Sequence, residues 1–375
     1  MKKEPYNKNY YHLIDSIRGL AALLVFLGHL RNVFFKNYDE IDSNIFIDVF
    51  YFFTSLGHVA VLFFFVISGF VITNLIFNRP INFSLAEYIY SRIMRLWVVL
   101  VPSIIFSIFV FMYLKSYSEG IIDGDLRYII NSGPSINDAE ISIYLILGNI
   151  FFLQEILVET FSINAPLWSL SYEFWYYILF PVILIFLNKI ENLNKLPHRF
   201  IFLILFILII EFLPIQIILY FLIWLFGSLI YVLRNLQIRY IKINFLLSLI
   251  VLVLTISVFK FKFLNLNKFI EELFIIISFS YFVLIFLKLK SKIFINKFFK
   301  KLSDISYSLY LFHFPIVLLL SSFIGSNKLD PNIFNLLLFF IVAIMIIFVV
   351  YIFWFLFERN TALIKKMLKN IIKKH

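Results

Sequence analysis

Ten stretches of this chain are apolar over lengths that cross the hydrocarbon core of a bilayer. They lie near 13–34, 57–77, 92–114, 166–188, 199–213, 215–233, 243–261, 269–287, 303–324 and 333–357. A core about 30 Å thick takes about 20 apolar helical residues to span. Outside a closed barrel, only a helix satisfies its own backbone there. The apolar runs are continuous rather than alternating, so the expected fold class is all-α: a polytopic integral membrane protein of about ten transmembrane helices. The weakest of the ten is 199–213, which is short and is followed by a tight turn at Pro214. Composition agrees, because 62% of the residues are hydrophobic where a soluble domain sits near half.

Loop charge sets the expected orientation. Lys2, Lys3 and Lys8 precede the first segment. Arg79, Arg92 and Arg95 fall between the second and third, and Lys365, Lys366, Lys369, Lys373 and Lys374 end the chain. With ten helices these all lie on one side, which predicts cytoplasmic termini and a multi-pass protein of a plasma membrane or cell inner membrane. The net charge of +11 is spent on this bias, so no nucleic-acid partner is implied; membrane lipids are the expected surroundings. The opposite loops carry acids, among them Asp39, Asp48, Glu119 and Asp138. One long extracytoplasmic loop, 115–165, turns apolar over 141–157 and reads as an interfacial or re-entrant segment. The chain has no Cys, which excludes disulfides, thiolate metal sites and a Cys nucleophile. No metal site is expected. The first segment carries Arg18 and lacks a small-residue cleavage site, so it reads as a retained helix rather than a signal peptide.

Ionisable groups inside such segments mark functional sites. Residues 13–30 read LIDSIRGLAALLVFLGHL. On a helix, Asp15, Arg18, Ala22, Val25 and His29 form one stripe. Arg18 and His29 lie roughly 20° apart in rotation and about 16 Å apart along the axis. The plainer alternative pairs Asp15 with Arg18 locally and leaves His29 at the interface. Arg92 and Arg95, at i and i+3, share a face at the cytoplasmic start of the third segment. The planar guanidinium fork suits phosphate, although membrane anchoring alone also explains such a pair. Residues 164–181 read NAPLWSLSYEFWYYILFP. They place Glu173 in an otherwise apolar helix, on one face with Ser169, Tyr176 and Tyr177. A pairing of Glu173 with His29 would orient that imidazole and stabilise it when protonated; the alternative is an aromatic belt. Ser68–Gly69 within FFVISGF marks a close-packing or kink point. Within SYSLYLFHFPI, at 306–316, His313 precedes the helix-kinking Pro315.

These stretches, in this order, resemble the acyltransferase-3 family of integral-membrane acyltransferases. The first segment is similar to the family's Asp–Arg–Gly…His pattern, with one residue more before Asp15. FFVISGFVI, Arg92-x-x-Arg95, Trp168-Ser169-Leu170-x-x-Glu173-x-x-Tyr176 and SYSLYLFHFPI resemble four further motifs, so the resemblance covers nearly the whole chain. Two places depart from it. Leu96-Trp97 stand where Pro often follows the arginine pair, and Glu358-Arg359-Asn360 stands where Glu-x-Pro is common. A single membrane-embedded domain over 1–375 is expected, without the SGNH hydrolase-like domain that some members carry.

The resemblance implies transfer of an acyl group, commonly acetyl, from acyl-CoA to a carbohydrate hydroxyl on lipopolysaccharide O-antigen, exopolysaccharide, peptidoglycan or a similar glycoconjugate. In that reading His29 and Glu173 are catalytic, and Arg18, Arg92 and Arg95 hold the donor. Ser68, Trp168, Ser169, Tyr176 and His313 bind substrate. No permanently bound cofactor is expected. The partners are acyl-CoA and a carbohydrate acceptor, with lipid-linked forms among the candidates. The competing class is a transporter or flippase of a lipid-linked glycan, which would show inverted repeats and paired broken helices; the sequence contains no such repeat.

Overall fold

The structure is a computed structural model that describes residues 8–78, 84–117, 141–187, 189–190, 196–289, 297–324 and 328–372. The loop cations Lys2, Lys3, Arg79, Lys373 and Lys374, and the acids Glu119 and Asp138, lie outside the described residues, as does 118–140 of the long loop. The described residues form helices α1 Lys8–Phe34, α2 Ile45–Thr54, α3 Gly57–Phe77, α4 Leu85–Tyr117, α5 Ile143–Ile150, α6 Trp168–Phe186, α7 Leu196–Phe212 and α8 Ile215–Leu233. They continue with α9 Ile241–Lys260, α10 Lys268–Phe286, α11 Lys297–Asp304, α12 Ser306–Ile324, α13 Ile333–Leu356 and α14 Thr361–Ile372. Nine helices among the described residues are long and apolar enough to cross a membrane. The tenth expected span, 199–213, is the helix α7, only 17 residues long. Pro214, which has no backbone N–H to donate, stands at the N-cap of α8.

The chain divides into two compact units. One comprises the chain to Ala21, Val59–Ser84 and Tyr176–Ser303. Helices in lipid gain little from hydrophobic contact with one another, so close approach at small residues holds them together. Gly69 of α3 and Gly227 of α8 supply that approach. A Cβ on Gly69 would strike the Trp224 carbonyl oxygen, and one on Gly227 would strike the Val66 carbonyl oxygen. The close-packing role expected at Ser68–Gly69 is met here. Phe63 stacks on Phe279, ring centroids 3.7 Å apart, beside this contact. α9 lies at the edge of this unit against α10, with Leu246, Leu247 and Ile250 exposed.

The other unit comprises Ala22–His58, Leu85–Trp175 and the chain from Asp304. Its centre is α12, in which Leu309, Leu311, Phe312, His313 and Val317 are fully buried. α12 packs on α4 and α13 and on a 3₁₀ turn over Ser162–Leu167. Phe312 stacks on Phe353 of α13 with ring centroids 4.1 Å apart. Glu358, just past α13, accepts from the Ser308 amide at 3.0 Å and the Ser308 hydroxyl at 2.6 Å. A carboxylate on the free amides of a first helical turn is favourable to both. Residues 143–167 are stitched by two buried amides. Asn149 donates to the Leu145 and Glu159 carbonyls and accepts from the Phe161 amide; Gln154 donates to the Leu167 carbonyl.

Candidate active site

The catalytic candidates His29 and Glu173 and the substrate-binding candidates Ser169 and His313 all fall in the second unit, and three elements seat them. α1 brings His29. Gly28, its neighbour, makes room for α2, because a Cβ there would come 2.6 Å from the Thr54 carbonyl oxygen. α12 brings His313, and its ring centroid lies 5.3 Å from that of His29. Phe314 meets His29 edge-on at 4.9 Å, and Phe26 meets His313 edge-on at 6.1 Å. Two imidazoles thus face each other between aromatic walls, His29 half-buried and His313 sealed from solvent.

The hydrogen bonds of His313 define what it can do. Its Nδ1 lies 2.8 Å from the Leu309 carbonyl, one turn back. A carbonyl only accepts, so Nδ1 carries the proton in that bond and the lone pair of the neutral ring is at Nε2. Nε2 is buried and has no hydrogen-bond partner among the described residues. Leaving such an acceptor unmet costs about 1–3 kcal/mol, a cost that a ligand group or a neighbouring N–H removes.

Pro315 explains how α12 is held in register. Proline has no N–H, so the carbonyl four residues earlier, that of Leu311, loses its helical donor. Asn164 replaces it, donating Nδ2 to the Leu311 carbonyl at 2.8 Å. Asn164 is fully buried and interrupts its 3₁₀ turn with φ −139° and ψ 58°, a conformation that aims the amide at α12. Next in the same turn, Pro166 accepts at its carbonyl from the Tyr310 hydroxyl at 2.9 Å. Ser169 closes the group with its hydroxyl 2.6 Å from that of Tyr310. Glu173, half-buried one turn further along α6, is near enough to act electrostatically on the Tyr310 hydroxyl. Tyr310 in turn lies beside His313, ring centroids 6.1 Å apart.

Trp168 stacks on His58 at 6.2 Å and meets Tyr172 edge-on at 5.1 Å. Arg92 is half-buried with its guanidinium 6.0 Å from the centre of the Tyr88 ring, and Arg95 is exposed. In the first unit, Arg18 lies 3.8 Å from Asp15 and donates to the Ser303 carbonyl at 3.1 Å and hydroxyl at 3.0 Å. The local Asp15–Arg18 pair read from the sequence is therefore present. Gly19 permits this contact, because a Cβ there would come 2.8 Å from the Ser303 nitrogen. Ser68 reaches the Tyr177 hydroxyl at 3.4 Å, and Tyr176 donates to the Ile217 carbonyl at 2.9 Å amid Phe65, Phe221 and Trp224. Among the described residues, no group of three or more His, Cys, Asp or Glu side chains could hold a metal ion.

Sequence reasoning singled out neither Tyr310 nor Asn164, and met Glu358 only where the chain departs from the family pattern. For Asn164 a signal existed: Pro315 inside a helix announces an orphaned carbonyl, although not which residue serves it.

Comparison with known proteins agrees with the motif order. A family described as an acyltransferase domain, the acyltransferase-3 type, matches residues 11–355. The peptidoglycan O-acetyltransferase OatA of Listeria monocytogenes serovar 1/2a is 24% identical over 198 residues. That alignment covers 50% of this chain and 26% of the relative, so the chain spans only about a quarter of the protein it resembles. No solved structure matches. With the family match running through nearly every described helix, the chain belongs to the acyltransferase-3 family of membrane proteins.

Proposed function

We propose that this acyltransferase moves an acyl group, most readily acetyl, from acyl-CoA to a hydroxyl of a cell-surface carbohydrate. The reading rests on family membership, on the O-acetyltransferase among its relatives and, above all, on the facing pair His29 and His313. Half-buried His29 is the general base. It takes the proton of the acceptor hydroxyl as that oxygen attacks the thioester carbonyl. The C–O bond forms, the C–S bond breaks, and the proton passes from the imidazolium to the departing thiolate. His313 Nε2, with its lone pair fixed by the Nδ1 bond, accepts from the N–H of His29 and so sets which way the reacting nitrogen of His29 points. Glu173 supplies the compensating negative charge, and the Ser169–Tyr310 contact joins its helix to that of His313.

Arg18, Arg92 and Arg95 bind the phosphates of the donor, and both termini are cytoplasmic. Ser68, Trp168 and Tyr176 shape the substrate path. The acceptor is an O-antigen, exopolysaccharide, peptidoglycan or related glycoconjugate, and the setting is a plasma membrane or cell inner membrane.

The test uses the purified chain with acetyl-CoA and candidate glycans. Release of free CoA that depends on the glycan, with one ester formed per CoA, supports the reading. Glycan movement across a bilayer without CoA release would replace it with transport.

A further inference from the structure

Beyond the imidazole pair, α1 ends in a second polar group that the reaction does not use. Arg31 stands in its last turn, with its guanidinium carbon 4.9 Å from the centre of the Tyr51 ring. Tyr51 is itself buried and is held by donating to the Lys36 carbonyl at 2.7 Å. The segment that follows α12 lies alongside. The Lys36 amide donates to the Leu329 carbonyl at 3.2 Å, and the Leu329 amide donates to the Phe34 carbonyl at 3.0 Å. This pairing carries Lys328 to the same end of α1.

The carboxylates of this region are already engaged. Asp330 pairs with Lys36 at 2.8 Å. Both oxygens of Glu40 accept from Asn37, at 3.2 Å from its amide and 3.1 Å from its side chain. Arg31 makes no ion pair among the described residues, and its Nε is buried with no hydrogen-bond partner. Lys328, also half-buried, makes none either. Two part-buried cations at one end of a helix, neither in an ion pair, are costly unless something anionic joins them. Burial lowers the proton affinity of the Lys328 ammonium below the ordinary lysine value; Glu40 opposes this and the Arg31 charge adds to it.

We infer that Arg31 and Lys328 form a binding site for an oxyanion, carboxylate or phosphate, carried by the acceptor glycan. The acceptor assignment rests on the acyl-transfer reading; the anion site does not. Arg31 is two residues from His29 and leaves the helix on roughly the opposite side, about 200° away. It therefore holds a charged group on a different part of the glycan from the hydroxyl that reacts. A guanidinium fork backed by an aromatic ring and flanked by an ammonium suits such a group.

The experiment measures binding to the detergent-purified full chain, with no donor present. The probes are a glucuronate-containing disaccharide, its carboxyl-reduced counterpart, and a polyprenyl phosphate in mixed micelles. The site predicts that at least one charged probe binds the wild type, that added salt weakens it, and that the neutral disaccharide does not bind there. Arg31→Gln and Lys328→Gln should each weaken that probe at least about tenfold, while Arg31→Lys keeps most of the binding. The stronger charged probe names the source of the oxyanion. Equal binding of charged and neutral disaccharides, no binding of either charged probe, or no response to Arg31→Gln in protein that still elutes as a single folded species would overturn the site. Because the readout is binding, an inactive chain that still binds the charged probe would sink the acyl-transfer reading and leave the anion site standing.

Discussion

Asn164 donates its side-chain amide to the Leu311 carbonyl at 2.8 Å, the carbonyl that Pro315 deprives of a helical donor. A proline inside a buried helix is normally a weak point, because it leaves a backbone oxygen unmet away from water. Here the unmet group is the attachment point, and the turn that carries Asn164 also carries Pro166 and leads into Ser169. The 162–169 segment and α12 thus fix each other, and with them the register of His313.

Asn164→Ala therefore removes a buried donor without supplying another. It should lower stability by about 1–3 kcal/mol, read as a lowered unfolding temperature in detergent, and lower turnover more than donor affinity. Pro315→Ala in the same background restores the backbone donor and should recover part of the lost stability.

His313→Asn separates the two nitrogens of that ring. The Asn side chain can still donate to the Leu309 carbonyl but has nothing in the place of Nε2. Thermal stability should stay near wild type while turnover falls. A large loss of stability with turnover per folded molecule unchanged would make His313 a packing residue only.

Gly69→Val places a side chain where the Trp224 carbonyl already sits. Overpacking of this kind costs about 1–3 kcal/mol or more. The expected outcome is a reduced yield of folded protein on size-exclusion chromatography. Val at the equally close Gly227 should behave alike.

Arg92→Ala should raise the KM for acyl-CoA with a smaller change in kcat, since a phosphate contact is made in both ground and transition states. Exposed Arg95 should show the weaker effect of the two. An unchanged donor KM in both variants would remove the pair from the donor site.

Local features of the chain were legible in advance. Segment lengths located the spans, Gly69 announced a close contact, and Pro315 a helical carbonyl without its donor. Each is a property of one residue or one stretch. α7 illustrates the limit, because 17 residues give a helix whose composition alone does not decide whether it crosses. The contacts that position His313 join residues far apart in sequence: Asn164 with Leu311, Tyr310 with Pro166 and Ser169, Ser308 with Glu358. No spacing rule along the chain reports them. The expected pairing of Glu173 with His29 came from depth in the membrane alone. The geometry adds what depth cannot, setting His29 against His313 and Glu173 near Tyr310.

The measurement that bears most directly on the account is the O-acetyl content of surface glycan in cells lacking this chain, cells restored with wild type, and cells restored with His29→Ala at equal membrane abundance. A general base contributes about 10²–10⁴-fold. The account predicts ester lost on deletion, regained with wild type and absent with His29→Ala. Ester restored by His29→Ala as fully as by wild type would contradict the assignment of His29 as the base.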